Sequence, residues 1–331
     1  MVEDNVLELY NDSIVIDALN YFPQFTGDYL QTMHEAGVTA INATLPNQSP
    51  FPPTFVQATE KLLTMERILA KHSDKAVVAT KASHIEDCKK DGKVAIIPGS
   101  QDATILEANV DNVDILYRLG YRVIQLTYNR RNLLGDGCSE RVDGGLSKFG
   151  IAVIERMNDL GMLIDLSHVG PKATMEAIEF SKAPVCFTHA NAKALCDHFR
   201  NKSDEALKAV AERGGVIGIN VISSYTQTRP GVEPDIDDYY AMMDYVVNLV
   251  GVDHVGIGTD ISPNWSPEEI KKTFEVYPEL AGTDGHLPGL DSLVYFRDLA
   301  QGLSDRGYSP QDLRKILGQN WLQLFKTVWG E

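Results

Sequence analysis

The 331-residue chain predicts a (β/α)8 TIM barrel, and three observations carry that prediction. Eight short, β-rich runs recur along the chain, segments of helical periodicity lie between them, and the long Gly- and Pro-rich stretches come directly after runs. Most runs are apolar on consecutive positions, as in Val216-Ile217-Gly218-Ile219 and Val94-Ala95-Ile96-Ile97. That pattern belongs to parallel strands covered on both faces, whereas a half-wet sheet alternates.

In chain order the runs are 13–17, 38–44, 94–98, 123–128, 162–168, 184–189, 216–221 and 254–260. Helical periodicity occupies 55–71, 109–119, 148–160, 172–181, 204–213, 237–250 and 292–306. Ser203 is a cap ahead of Asp204-Glu205, while Gly161 and Gly214-Gly215 are stop signals. Residues 309–325 read as a closing helix, opened by Ser309-Pro310 and carrying Leu313, Ile316, Leu317, Trp321 and Leu324 on one stripe. Stretches 45–53, 129–146, 222–234 and 261–289 exceed a minimal turn of about 2–6 residues and are expected to roof one end of the barrel. With no linker, repeat or low-complexity tract, residues 1–331 read as one barrel domain.

A 44% hydrophobic composition gives a globular chain with a large core. Its net charge of −16 argues against nucleic-acid or anionic-membrane partners, which reward clustered Lys and Arg. Cys88, Cys138, Cys186 and Cys196 show no CxxC spacing, so reduced structural thiols are expected and not a zinc–thiolate site. The start, Met1-Val2-Glu3-Asp4-Asn5, carries acids where a secretory signal carries bases, and no apolar run reaches ~18 residues. A cytoplasmic protein is expected, and a homodimer is the commonest assembly for such a chain.

His168 and His189 close the fifth and sixth runs, and Asp260 closes the eighth. Barrel strands deliver such end residues to one mouth, where barrel enzymes keep their chemistry. Two imidazoles there can grip a divalent cation; the plainer alternative is that they bond loop backbone. Asp260 follows Gly256-Ile257-Gly258 and is placed to accept a proton from water, or else to cap a loop. Arg200, eleven residues after the sixth run, suits a substrate carboxylate. Thr127-Tyr128-Asn129-Arg130-Arg131-Asn132 offers several donors at the end of the fourth run. His34, His72, His84, His198, His254 and His286 read as structural or surface residues.

At these residues the chain resembles the membrane (renal-type) dipeptidase family, peptidase M19, of the amidohydrolase superfamily. The resemblance runs from Val15-Ile16-Asp17 to Gly318-Gln319-Asn320-Trp321 and rests on Ile164-Asp165-Leu166-Ser167-His168, Phe187-Thr188-His189, Arg200-Asn201 and His254 to Asp260. It implies a two-zinc (β/α)8 barrel that cleaves dipeptides. His168 and His189 then correspond to ligands of one zinc, Arg200 to the holder of the substrate carboxylate and Asp260 to the catalytic acid/base. The first half departs from this pattern. Leu19 and Tyr21 stand where the family has the His-x-Asp of the other zinc, Gln101 where it has the bridging carboxylate, and Tyr128 where it has a substrate-binding histidine.

Leucine and tyrosine cannot supply the missing donors, so the resemblance with these losses implies one divalent metal, zinc by expectation, held by His168, His189 and the amide oxygen of Gln101. Tyr128, Asn129 and Asn20 would then touch substrate alongside Arg200. The expected reaction is hydrolysis of a C–N amide bond in a small carboxylate-bearing molecule. The alternatives are a metal-free lyase or isomerase on the same barrel, and an inactive homologue that only binds.

Overall fold

In the computed structural model, which describes residues 2–21, 26–46, 52–262, 267–281 and 285–330, parallel staves close into a barrel. Strands β1 (Ile16–Tyr21), β2 (Ala40–Thr44), β3 (Ala76–Val78), β4 (Val94–Ser100), β5 (Val123–Gln125) and β6 (Leu163–Asp165) form one sheet, in the order β1-β2-β4-β5-β6 with β3 on β4. Strands β7 (Ile217–Ile219) and β8 (Val255–Ile257) form a second ladder. Parallel bridges Asp165↔Cys186 and Phe187↔Ile217 join the two through residues 184–189, and Asn20↔Ile261 returns the end of β8 to β1.

The helices in chain order are α1 (Asp4–Asp12), α2 (Gly27–Ala36), α3 (Phe55–Lys71), α4 (Ala82–Asp91), α5 (Asp111–Leu119), α6 (Lys148–Leu160) and α7 (Pro171–Phe180). They continue with α8 (Asp204–Glu212), α9 (Ser223–Thr226), α10 (Ile236–Val250), α11 (Pro267–Val276), α12 (Phe296–Asp305), α13 (Pro310–Arg314) and α14 (Asn320–Trp329). Side-chain caps account for many of the starts: Thr26, Thr54, Ser147, Ser203 and Ser309 each accept a first-turn backbone N–H.

Two apolar shells hold the barrel. Val94 and Ile96 belong to the outer shell against the helices, while Ala95 and Ile97 belong to the inner one, the alternation a stave requires. The inner shell gathers Ile16, Ala40, Val123, Leu163, Cys186 and Val216 around Trp321 and Phe325 of α14. Trp321 is fully buried and its Nε1 donates to the Ile257 carbonyl at 3.0 Å, so α14 stoppers the end opposite the loops.

Four expectations are corrected. The first strand lies at Ile16–Tyr21, not 13–17, because Ser13 ends α1 by donating from Oγ to the Leu9 carbonyl. Residues 184–189 form a stave without a continuous ladder, since the N–H groups of Thr188 and His189 donate to the side chains of Asp165 and Ser167. The closing helix is broken into α13, a π turn over Lys315–Gln319 and α14, where Gly318 passes against the Ile14 carbonyl. Helix α12 begins at Phe296, after a 3-10 turn at Leu293–Tyr295, and not at residue 292. Elements α1, α2, β3 and α4 were not anticipated at all, and helices α9 and α11 form inside stretches 222–234 and 261–289, which were expected to be loop. Parts of two expected roof loops, 47–51 and 263–266 with 282–284, lie outside the described residues.

Candidate active site

The stave ends bring His168 and His189 into contact, with their Nε2 atoms 2.9 Å apart and both rings buried. Each Nδ1 has a defined partner. That of His168 lies 2.7 Å from Asn129 Oδ1, and that of His189 lies 2.7 Å from Thr188 Oγ1. Asn129 Oδ1 can only accept, so His168 Nδ1 carries that ring's proton and its Nε2 a lone pair; the Thr188 hydroxyl can donate or accept, so the His189 tautomer depends on the bonds around that hydroxyl. Burial, followed by the nearby Arg200 guanidinium, holds both imidazoles well below their ordinary pKa, which keeps them neutral. Where both Nε2 atoms carry a lone pair, a cation between them would be bonded by both. Two imidazoles sharing one tetrahedral zinc at ~2.0–2.1 Å stand roughly 3.3 Å apart, so the donor pair fits a single metal ion.

Tyr128 stacks on His168 with centroids 4.3 Å apart and meets Tyr277 edge-on at 5.5 Å. Its phenol is held well above its ordinary pKa by burial and then by the Asp260 carboxylate, so it remains a hydrogen-bond donor at neutral pH. Asn129 and Asp260 adopt positive φ, 58° and 63°, and make up two of the three non-glycine residues with positive φ among the described residues. Such backbone is rare outside glycine and clusters at functional sites. Asn129 Nδ2 is buried without a hydrogen-bond partner.

Asp260 Oδ2 accepts from Asn220 Nδ2 at 3.3 Å. Burial pushes its carboxyl up to about 7; Arg200 and the Asn220 bond pull it down, and Asp17 and Asp165 add to the rise. Arg200 is buried, donating from Nη1 to the Ser167 carbonyl and from Nη2 to the His189 carbonyl at 2.7 Å, while its Nε has no partner. The guanidinium therefore braces two stave ends and retains donors for a ligand. Lys202 is buried below, donating from Nζ to the Val169 carbonyl at 2.7 Å, and burial pushes its pKa down to about 7.

The remaining sequence-predicted residues stand at the ends of β1 and β4. Gln101, just past β4, is buried, with its N–H donating to Thr44 Oγ1 at 3.2 Å and its carbonyl accepting from Gln125 Nε2. Asn20, on β1, donates from Nδ2 to Asp17 at 3.3 Å and accepts from the Tyr29 hydroxyl at 3.0 Å. Among the described residues no three His, Cys, Asp or Glu side chains converge as a metal site, so a third ligand drawn from them is of another type. His198 and His254 are structural as expected: His198 Nδ1 accepts from the Arg200 N–H, and His254 Nδ1 bonds the Gly215 carbonyl.

Sequence reasoning missed the two aspartates beneath the site. Asp165 accepts from the N–H and Oγ1 of Thr188 at 3.0 and 2.6 Å, and Asp17 accepts from the N–H and Oγ1 of Thr259 at 2.8 and 2.6 Å. The signal was present as an Ile-Asp pair in two runs and a Thr immediately before both His189 and Asp260. Tyr277 was also missed. It sits in a segment clamped across the mouth by Arg130, whose Nε and Nη2 donate to Glu279 at 2.9 and 2.8 Å.

A closed β/α barrel with paired imidazoles and an acid at its C-terminal mouth defines the class: a barrel hydrolase of the amidohydrolase type. The chain belongs to the membrane dipeptidase family, peptidase family M19, whose model matches residues 17–329. Among solved structures it is similar to an amidohydrolase from Pseudomonas aeruginosa, with 33% identity, a TM-score of 0.90, and 98% of this chain and 99% of that one covered. It shares its fold with a metallo peptidase from Rhodobacter sphaeroides liganded with a phosphinate mimic of the dipeptide L-Ala-D-Ala, at 22% identity and TM-score 0.81, covering 96% and 100% of the two chains. The dipeptidase tcpJ of Claviceps purpurea (strain 20.1) is 29% identical over 266 residues, which is 80% of this chain and 58% of that protein's length. A protein in the pqqA 5' region of Klebsiella pneumoniae is 28% identical over 280 residues, 82% of this chain and 96% of that one. No helix among the described residues is long and apolar enough to cross a membrane.

Proposed function

We propose that the chain is a mononuclear metal-dependent amidohydrolase that cleaves a C–N amide bond in a small substrate bearing a carboxylate, as a dipeptide does. The observation that carries this reading is the close approach of the buried Nε2 atoms of His168 and His189, 2.9 Å apart. These two rings, with the Gln101 amide as third donor, would hold one divalent ion, zinc by the chemistry of the donors. A bound ion of this kind acidifies water and polarises a carbonyl.

Asp260 then accepts the proton of the attacking water and returns it to the departing amine, a task suited to a carboxyl brought to about 7. Arg200 uses its free donors on the substrate carboxylate, and the buried Nδ2 of Asn129 and the protonated phenol of Tyr128 supply hydrogen bonds beside it. Asn20, both ends of whose amide are engaged, lines the space next to Asp17 and meets substrate through its second amide hydrogen.

The test is hydrolysis of a dipeptide panel with metal analysis of the same samples. Activity is expected to vanish on chelation and return with zinc or manganese, and Gln101→Glu is expected to raise metal occupancy by restoring an anionic donor. Full activity in protein verified as metal-free, or unchanged occupancy in Gln101→Glu, would count against a metal site that includes this amide.

A further inference from the structure

We infer that Thr188 and Asp165 are positioning residues that lock His189 in the single tautomer whose Nε2 can face a cation. Thr188 Oγ1 owns one proton. The Asp165 carboxylate has only acceptors and lies 2.6 Å away, so that proton points to Asp165 Oδ2. The other neighbour of Thr188 Oγ1, Ser167 Oγ at 3.3 Å, directs its own proton to Asp165 Oδ1 at 2.6 Å. Thr188 Oγ1 is therefore left to accept from His189 Nδ1 at 2.7 Å, which places the ring proton on Nδ1 and the lone pair on Nε2. Arg200 completes the brace by bonding the His189 carbonyl at 2.7 Å.

The fold contains its own control. Thr259 is held by Asp17 through the same two bonds, from its N–H and its hydroxyl, but Asp260, the residue after it, has no imidazole to receive. Both clips pin a stave end; only the Thr188 clip orients a ring. The relay rests on the metal reading for its consequence, tighter ion binding, and on hydrogen-bond bookkeeping alone for the tautomer.

The experiment uses the full chain freed of metal by chelation. Zinc affinity is titrated against a competing chelating dye, and the ring 15N shifts of His189 are read in the metal-free protein, for wild type, Thr188→Val, Thr188→Ser and Thr259→Val. Thr188→Val is expected to lose about 10–100-fold in zinc affinity, with Nε2–H signal appearing on His189, while Thr188→Ser and Thr259→Val stay within about threefold of wild type. The inference is overturned if Thr188→Val binds zinc as wild type does, if Thr259→Val loses as much, or if the wild-type ring carries its proton on Nε2. Should the wild type bind no zinc, the metal reading fails separately, and the ring spectrum still upholds or overturns the relay; wild type and Thr188→Ser decide it even if the valine variant does not fold.

Discussion

Asp260 is the residue whose environment makes the sharpest kinetic statement. In the proposed reaction its ionised form is the proton acceptor, and burial brings its carboxyl up to about 7, so kcat/KM for a dipeptide is expected to rise with pH through about 7 and level off above it. Asp260→Asn should lower kcat/KM by about 10²–10⁴-fold without loss of zinc binding; a pH–rate profile flat from about 5.5 to 8.5 would remove Asp260 from the reaction. Asp102 makes a stability statement. It is buried, its Oδ1 accepts from the Thr104 N–H at 3.0 Å and Asn132 Nδ2 at 2.9 Å, and burial pushes its carboxyl up to about 6. A carboxyl raised on folding contributes stability that is full below its unfolded value near 3.8 and is lost as pH climbs through the folded value near 6. The ionised form thus costs on the order of 3 kcal/mol at neutral pH, and asparagine, which keeps the acceptor, avoids that cost. Asp102→Asn should melt near the wild-type temperature at about pH 4 and several degrees above it at about pH 8; calorimetry across that range checks the sign. The placement of His168, His189 and Asp260 at stave ends was legible in the sequence because each closes an apolar run. The clips of Asp17 and Asp165 were not, because their partners lie on other staves.

At the scale of elements, the site depends on how closely three staves approach. A Cβ on Gly218 of β7, or on Gly258 after β8, would sit well inside 3.0 Å of the Thr188 carbonyl oxygen, so the stave carrying His189 nests in a notch made by two glycines. Gly258→Ala is expected to cost about 2–3 kcal/mol and to displace Asp260 and Thr188 together, measurable as a lower urea midpoint and a larger fall in activity than stability alone explains. The apolar staves and most long helices could be read from periodicity and caps. Strand β3 could not, being three residues with two half-buried positions, and the broken ladder at 184–189 depends on side chains of β6 and its following turn. Helix α2 carried its signals in Thr26 and Gly37, but its short buried face, Tyr29, Leu30, Met33 and Ala36, is easily read as loop.

For the whole molecule, a ligand that binds only the folded site must raise stability by mass action. With free zinc at about 100 times Kd the gain is ~2.7 kcal/mol, so the melting temperature should climb with zinc concentration in wild type and stay fixed in His168→Ala or His189→Ala. An equal zinc shift in those variants would place the ion elsewhere. The order of staves, the mouth to which their ends lead and the family's second-half motifs all follow from sequence, because periodicity and strand-end position are local properties that any barrel converts into convergence. Tertiary structure alone decided the rest: which partners each imidazole nitrogen meets, that Arg200 braces the stave ends, and that Tyr277 covers Tyr128. Most of those outcomes are hydrogen bonds and ring contacts between residues tens to hundreds of positions apart, and their geometry exists only once the cylinder has closed.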